Sequence, residues 1–483
     1  MKFIYKIITV FIIVGSFVSC SDFIELESSE LYEIDASRYL NTEEDYYQAL
    51  YGAYDPLQWL YAGVLIGDIA SDNSLAGGET AVDVIGLQEI DDMIHHPSND
   101  QLTDYMRFCY EGVNRANYLT ENYDKLDFDG KDELYGEVYF LRGYYYFELA
   151  KFFGRVAVFT SRLDASSSGQ LPQNSIEEVY AQVEGDLNLA ISSLPSSQAQ
   201  IGRATLGAAQ ALLGKAYLYQ GKYDEAATML ENVIGQYTLV DDYGSQFLST
   251  GENGTESVFE IQYTNQSDWW DWDFLPEGTE GNFGVIHNGP RGFAADGYAS
   301  GWSFNVPTQD LYDAFEDGDT RKDATILDPV AMGEEYTPGN EDTGYFNHKY
   351  TPRAGESGAQ IELNYGNNYR AIRYADVLLM AAEAHNLKSA PNAVLAQSYL
   401  NEVRRRAFGD EDHDISLTGD DLTEAIWEER RLELAMEGHR FFDLVRTNQA
   451  EDKIEGYESH NKYFPIPQFE IDLSGWTQVE GGY

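Results

Sequence analysis

The sequence predicts a mainly α fold: a tetratricopeptide-like helical-repeat scaffold with a long loop-rich insertion carrying short strands. Three observations lead there. Apolar and aromatic residues recur at helical spacing in the first half and again in the last third of the chain. From Ala209 the chain reads AQALLGKAYLYQGKYDEAATMLENVI, with Gly214, Tyr217, Gly221, Tyr223, Ala226 and Leu230 in a two-helix repeat register. Between Leu239 and Gly366 the texture turns to Gly, Asn, Asp, Pro and Trp. Helical blocks are therefore expected at about 41–238 and 367–448, flanking an insertion at about 239–366.

The first element is a leader. Lys2 and Lys6 precede an apolar run from Ile7 to Val18, which ends in Val18-Ser19-Cys20-Ser21. About 12 residues are too few to cross a hydrocarbon core as a helix, so residues 1–19 read as a cleaved lipoprotein signal with Cys20 as the lipidated mature terminus. Diacylation of its sulfur and acylation of its amine would supply the two or more chains that stable anchoring needs.

Helices follow in order. Thr42 to Leu60 opens at an N-cap, Asn41 or Thr42, and carries Tyr46, Tyr47, Leu50, Tyr51 and Tyr54 on helical spacing. Asp104 to Tyr123, Lys131 to Phe153 and Ile176 to Leu194 continue the pattern, the last stopped by Pro195. Inside the insertion only Ser257 to Tyr263 reads as a strand. Helical patterning returns over Tyr369–Leu387, Ala393–Ala407 and Leu422–Arg446, and the tail from Tyr457 is irregular.

Charge and composition remove several function classes. The chain carries 31 basic and 82 acidic side chains, a net charge of −51. Such a field repels phosphate backbones and anionic headgroups, so no nucleic-acid partner is expected despite Arg404-Arg405-Arg406. Cys109 has only Cys20 as a companion, which leaves no intramolecular disulfide. No GxSxG elbow and no HExxH occur, and His95-His96 before Pro97 reads as an exposed turn. A calcium loop around Asp127 and Asp129 fails, because Lys125 stands at its first ligand position and Gly136 at its twelfth. No metal site, cofactor or catalytic residue is expected. With so many acids, carboxylate pairs at glycosidase spacing arise by chance and identify nothing.

Trp269, Trp270 and Trp272, with Asp271 and Asp273 between and after them, form the strongest functional signal. Indole faces stack on the apolar C–H faces of pyranose rings, and carboxylates bond sugar hydroxyls. The segment therefore reads as a sugar platform.

Taken in order, several segments resemble the RagB/SusD family of surface-exposed nutrient-binding lipoproteins. They are Gly67-Asp-Ile-Ala-Ser-Asp-Asn73, GEVYFLRGYYYFELAKFFGRVAVF from Gly136, the repeat-like segment from Arg203 to Ile234, and VPTQDLYDAFEDGDTRKDATI from Val306. NNYRAIRYADVLLMAAEAHN from Asn367, AIWEERRLELAMEGHRFFDLVR from Ala425 and KYFPIPQFEI from Lys462 complete the set.

That resemblance implies a single SusD-like domain over 20–483, held on the outer face of the outer membrane of a Gram-negative bacterium. It also implies a non-catalytic polysaccharide- or oligosaccharide-binding protein that hands its ligand to a SusC-like TonB-dependent transporter. The acidic charge favours a neutral ligand such as a glucan. A peptide-capturing member of the same family and a surface glycoside hydrolase are the alternatives. By family geometry Asp72 and Asn73 would face the ligand and Asp68 would brace the loop. Trp302 is placed in the scaffold, and Trp59 is compatible with either role.

In the family segment after Glu428, the charged side chains up to Asp443 stand at helical spacings and are expected to pair along one helix. Arg142, Arg370 and Arg373 are read as partly buried structural arginines.

Overall fold

The computed structural model describes residues 39–163, 171–266, 280–358, 363–478 and 483. The first helix spans Glu43–Gln58 and begins at a reciprocal cap: Thr42 Oγ1 accepts from Asp45 N, and Asp45 Oδ2 accepts from Thr42 N. It runs through a 3₁₀ turn, Trp59–Tyr61, into a second helix, Ala62–Ile69. Asn99 caps the Asp100–Glu121 helix, four residues before the expected start.

The Lys131–Phe153 helix lies at the centre, buried around almost its whole circumference. It packs between the Asp100–Glu121 helix and Ile176–Ser193, itself opened by a Ser175–Glu178 capping box. Gly112 and Gly143 let these helices close up, since a Cβ on Gly112 would lie 2.3 Å from the Tyr145 ring. The repeat register resolves into Leu206–Tyr219 and Tyr223–Leu230, with Gly214 seated against Leu230.

Two expected helices are divided. Tyr369–Leu387 is a strand, Tyr369–Arg373, followed by a helix, Tyr374–Leu387. The strand pairs antiparallel with Ser257–Ile261, and both of its arginines are buried. Leu422–Arg446 is likewise two helices, Gly419–Glu433 and Arg440–Arg446. Between them Met436 and Gly438 have φ of 64° and 78°. The break has a packing cause: a Cβ on Gly67 would lie 2.2 Å from Gly438 O, and one on Gly438 would lie 2.7 Å from Val64 Cα. A continuous helix could not make that crossing.

One apolar core runs from Leu40 to Trp476 through both groups of long helices. Residues 243–365 contribute mainly to four smaller apolar clusters. Their connections are two-stranded ladders, Ser74–Ala76 with Asn305–Pro307 and Ile326–Leu327 with Phe346–Asn347, together with buried charge.

Arg373 donates to Glu256 (2.6 Å), Glu433 (3.0 Å) and Glu437 (2.8 Å); Arg321 to Asp319, Glu429 and Glu433; and Lys349 to Glu437 (2.7 Å). The pairing expected along one helix is thus largely pairing between elements, and Arg373 and Arg370 are fully rather than partly buried. Burial raises the Glu433 carboxyl, but Arg406, Arg373 and Arg321 outweigh it and hold the group below the usual carboxylate range. Arg142 is likewise buried, bidentate to Asp186 at 2.9 and 2.6 Å.

His95 departs from its expected exposed turn. It is buried, its Nε2 lies 2.8 Å from the Tyr483 hydroxyl, and burial pushes its pKa down to about 4. Cys109 is buried on the Asp100–Glu121 helix, and burial raises its thiol well above the ordinary value. Among the described residues no helix is long and apolar enough to cross a membrane, and no group of His, Cys, Asp and Glu is arranged to hold a metal ion.

Candidate functional site

The loop after the Ala62–Ile69 helix is a buried joint. Asp68 accepts from Gly438 N (2.8 Å) and Asn305 Nδ2 (2.9 Å), tying the second helix, the Asn305–Pro307 strand and the C-terminal helices together. Burial pushes its carboxyl up to about 7, against the lowering effect of those two bonds. It braces the loop, as expected.

Asp72 and Asn73 depart from the ligand-facing expectation. The Asp72 carboxylate accepts Nε and Nη2 of Arg440 at 2.6 and 2.8 Å and lies 3.6 Å from Arg431. Burial raises its pKa, but Arg440 and Arg431 bring it below the ordinary value. Asn73 is fully buried, with Oδ1 accepting from Arg431 Nε at 2.9 Å. Both side chains are engaged inward by arginines about 360 positions away in sequence, a distance at which no local pattern could reveal them. Trp59 is also interior, edge-on to Phe108 with Arg115 over its ring, and Trp302 packs among Phe283, His287 and Phe304.

Trp269, Trp270, Asp271, Trp272 and Asp273 lie outside the described residues. The chain on either side of them is firmly held. Thr264 N donates to Glu280 O at 2.8 Å, so the segment leaves and returns at one place. Asn265 Nδ2 donates to Glu356 O, and Asn282 N to Tyr365 O at 2.7 Å. Gly281 abuts Asn364 so closely that a Cβ would meet its Oδ1 at 1.7 Å, which demands glycine there.

Beside this foothold opens a groove of about 590 Å³, between the Glu43–Gln58 helix, the Gln200–Arg203 turn and the Ser257–Ile261 strand. Gln262 and Glu280, which flank the tryptophan-bearing segment, both line it. Its volume is that of a ligand cleft. Sequence reasoning missed it, because its walls come from three stretches far apart in the chain; the only local hint was the tyrosine series on the first helix.

Comparison with known proteins adds to this geometry. Residues 329–465 match a family profile described as the SusD family, and residues 22–218 match one described as starch-binding associating with outer membrane. The chain is 28% identical to SusD-like protein P2 of Formosa agariphila, over 92% of this chain and 90% of that one. Among solved structures, a laminarin-binding SusD-like protein is 35% identical, with a TM-score of 0.83 over 91% of this chain and 99% of its own. Surface glycan-binding protein A from Bacteroides thetaiotaomicron, in complex with laminarihexaose, is 28% identical with a TM-score of 0.81, over 90% of this chain and 99% of its own.

Proposed function

The chain belongs to the SusD family, and from that premise we propose that it is a non-catalytic surface lipoprotein that captures a neutral glucan of the laminarin type. The observation that carries this reading is the likeness, along nearly the whole chain, to a laminarin-binding relative. In this reading Trp269, Trp270 and Trp272 supply the stacking platform and Asp271 and Asp273 bond hydroxyls; the flanking Thr264 and Glu280 meet at 2.8 Å. Asp72 and Asn73 are left out of the site, since their side chains bind Arg440 and Arg431. A few stacking contacts at about 0.5–1.5 kcal/mol each, offset by the ordering of a flexible ligand, give modest affinity. Cys20 carries the lipid anchor, and a SusC-like TonB-dependent transporter receives the captured chain.

Affinity electrophoresis of the lipid-free mature protein against neutral and anionic polysaccharides tests the reading, with a Trp269→Ala, Trp270→Ala, Trp272→Ala variant alongside. Retardation by laminarin that disappears in the folded variant is the expected result. No retardation by any glycan would overturn the reading and favour peptide capture. Retardation unchanged in the variant would remove the platform and keep the function. For the anchor, Cys20→Ala should shift the protein from the detergent phase to the aqueous phase in detergent partition.

A further inference from the structure

The groove at the foot of the tryptophan segment has its own recognition chemistry. Tyr51, on the Glu43–Gln58 helix, is 39% exposed, and its hydroxyl donates to Gln200 Oε1 at 3.2 Å, which ties the ring to the opposite wall. Ile201, at the tip of that wall, is 75% exposed. Gly202 has φ +91°, and a Cβ there would lie 2.3 Å from the Gln262 side chain, so glycine lets the turn close against the strand.

The polar lining is selective. Gln58 Nε2 donates to Gln262 O at 2.9 Å, while Gln58 Oε1 is buried without a hydrogen-bond partner. That oxygen is closed to solvent, so the polar groups a ligand can meet in the groove are on other lining residues, Gln48, Gln200 and Gln262 among them. The only cation among the described lining residues, Arg203, is engaged by the buried Glu137, and the Asp55 carboxylate is engaged by Arg115 at 2.6 Å. Glu260 accepts from Asn253 N and Asn368 Nδ2. The carboxylates that line the groove would repel an acidic sugar, and among the described lining residues no unpaired cation would attract one.

We propose that this groove is a second saccharide subsite, in which one or two neutral pyranose rings sit between Tyr51 and Ile201. The subsite rests on the proposed glycan-capture function and extends it. Longer oligosaccharides, which can fill the groove as well as the main site, gain contacts that short ones lack.

Isothermal titration calorimetry with laminarihexaose and with shorter laminari-oligosaccharides, on the lipid-free mature protein, tests this. The variants are Tyr51→Ala/Ile201→Ser, Tyr51→Phe and the tryptophan triple, each checked by circular dichroism and thermal unfolding. The double variant should bind laminarihexaose about 5- to 10-fold more weakly, the loss of one stacked ring, and bind the shortest productive ligand as the wild type does. Tyr51→Phe, which keeps the ring, should restore most of that loss. Equal laminarihexaose affinity in a folded double variant would overturn the subsite and leave the glycan function standing. Failure of the wild type to bind any laminari-oligosaccharide would overturn both.

Discussion

The central helix Lys131–Phe153 and the Arg373 ion network are both buried, yet they hold the molecule by different means. Around the helix, apolar side chains close-pack, and the few polar groups each have a dedicated partner, such as Arg142 with Asp186 or Tyr105 with Glu148 at 2.6 Å. Around Arg373, the carboxylates Glu256, Asp319, Glu429, Glu433 and Glu437 interlock with Arg321, Lys349, Arg373 and Arg406, joining the strand Tyr369–Arg373 to the helices Arg321–Thr325, Ala393–Phe408 and Gly419–Glu433, and apolar contact is divided among small clusters. Apolar packing tolerates small shifts with graded cost, whereas a buried ion network works only when complete. The irregular region, which anchors the tryptophan segment, is thus fixed in shape by electrostatic register more than by area.

Arg373→Ala gives the largest expected effect. It takes the shared cation from Glu256, Glu433 and Glu437, leaving these buried acids to Arg406, Arg321 and Lys349, and should cost about 3–5 kcal/mol, against about 2–5 kcal/mol for the cavity left by Leu141→Ala on the central helix. Limited proteolysis separates the two mechanisms. Cleavage of Arg373→Ala should concentrate within residues 239–366, while Leu141→Ala should be cleaved throughout. Identical fragment patterns would show a single cooperative unit and break the contrast.

Acidity sharpens it next. Burial sets the folded pKa of Asp68 at about 7, above the ordinary carboxylate value, so the protonated form is the one the fold favours. Its contribution is fully present below about pH 4 and is lost as pH rises through 7, an effect of up to about 4 kcal/mol. Asp91, partly buried and beside Asp92, is also pushed up to about 7 and acts in the same direction. Carboxylates paired with arginines act oppositely: Glu433 in the network, and Asp443 between Arg430 and Arg446, lie below the ordinary value, so their contribution is present above about pH 4 and lost on acidification. Burial holds His95, His287 and His439 below the ordinary value and so pushes stability the other way between pH 5 and about 6.5; the sign is therefore read from a difference: the urea midpoint of the wild type minus that of Asp68→Asn should fall from pH 5 to pH 8. A difference that climbs over that range would contradict the assignment.

Asp72→Ala should have the smallest effect. It leaves the Arg440 guanidinium short of its bidentate acceptor, at about 1–3 kcal/mol, with affinity for laminarihexaose unchanged. A folded variant with impaired binding and unaltered stability would return Asp72 to the ligand site.

Elements decided by local pattern were legible in the sequence. The Lys131–Phe153 helix stands where periodicity put it, the Thr42 cap follows from Thr and Asp three residues apart, and the repeat pair follows from its small residues. What escaped depends on partners remote in the chain. Tyr369–Arg373 continues the apolar rhythm of the helix after it, and only Ser257–Ile261 makes it a strand. Gly438 breaks the last long helix because Val64 and Gly67 press against it. Asp72 and Asn73 look like polar loop residues until Arg431 and Arg440 arrive from the far end. The groove shares this origin, since Tyr51, Gln200 and Gln262 meet only in three dimensions.

Cys109 turns the contrast between the regions into something that can be timed. With Cys20 consumed by lipid or removed, its sulfhydryl is the sole one in the chain, and it sits at zero exposure on a helix packed against the central one. An alkylating reagent can reach it only when the scaffold opens, so labelling speed clocks that opening alone, and unravelling confined to the loop-rich half passes unrecorded.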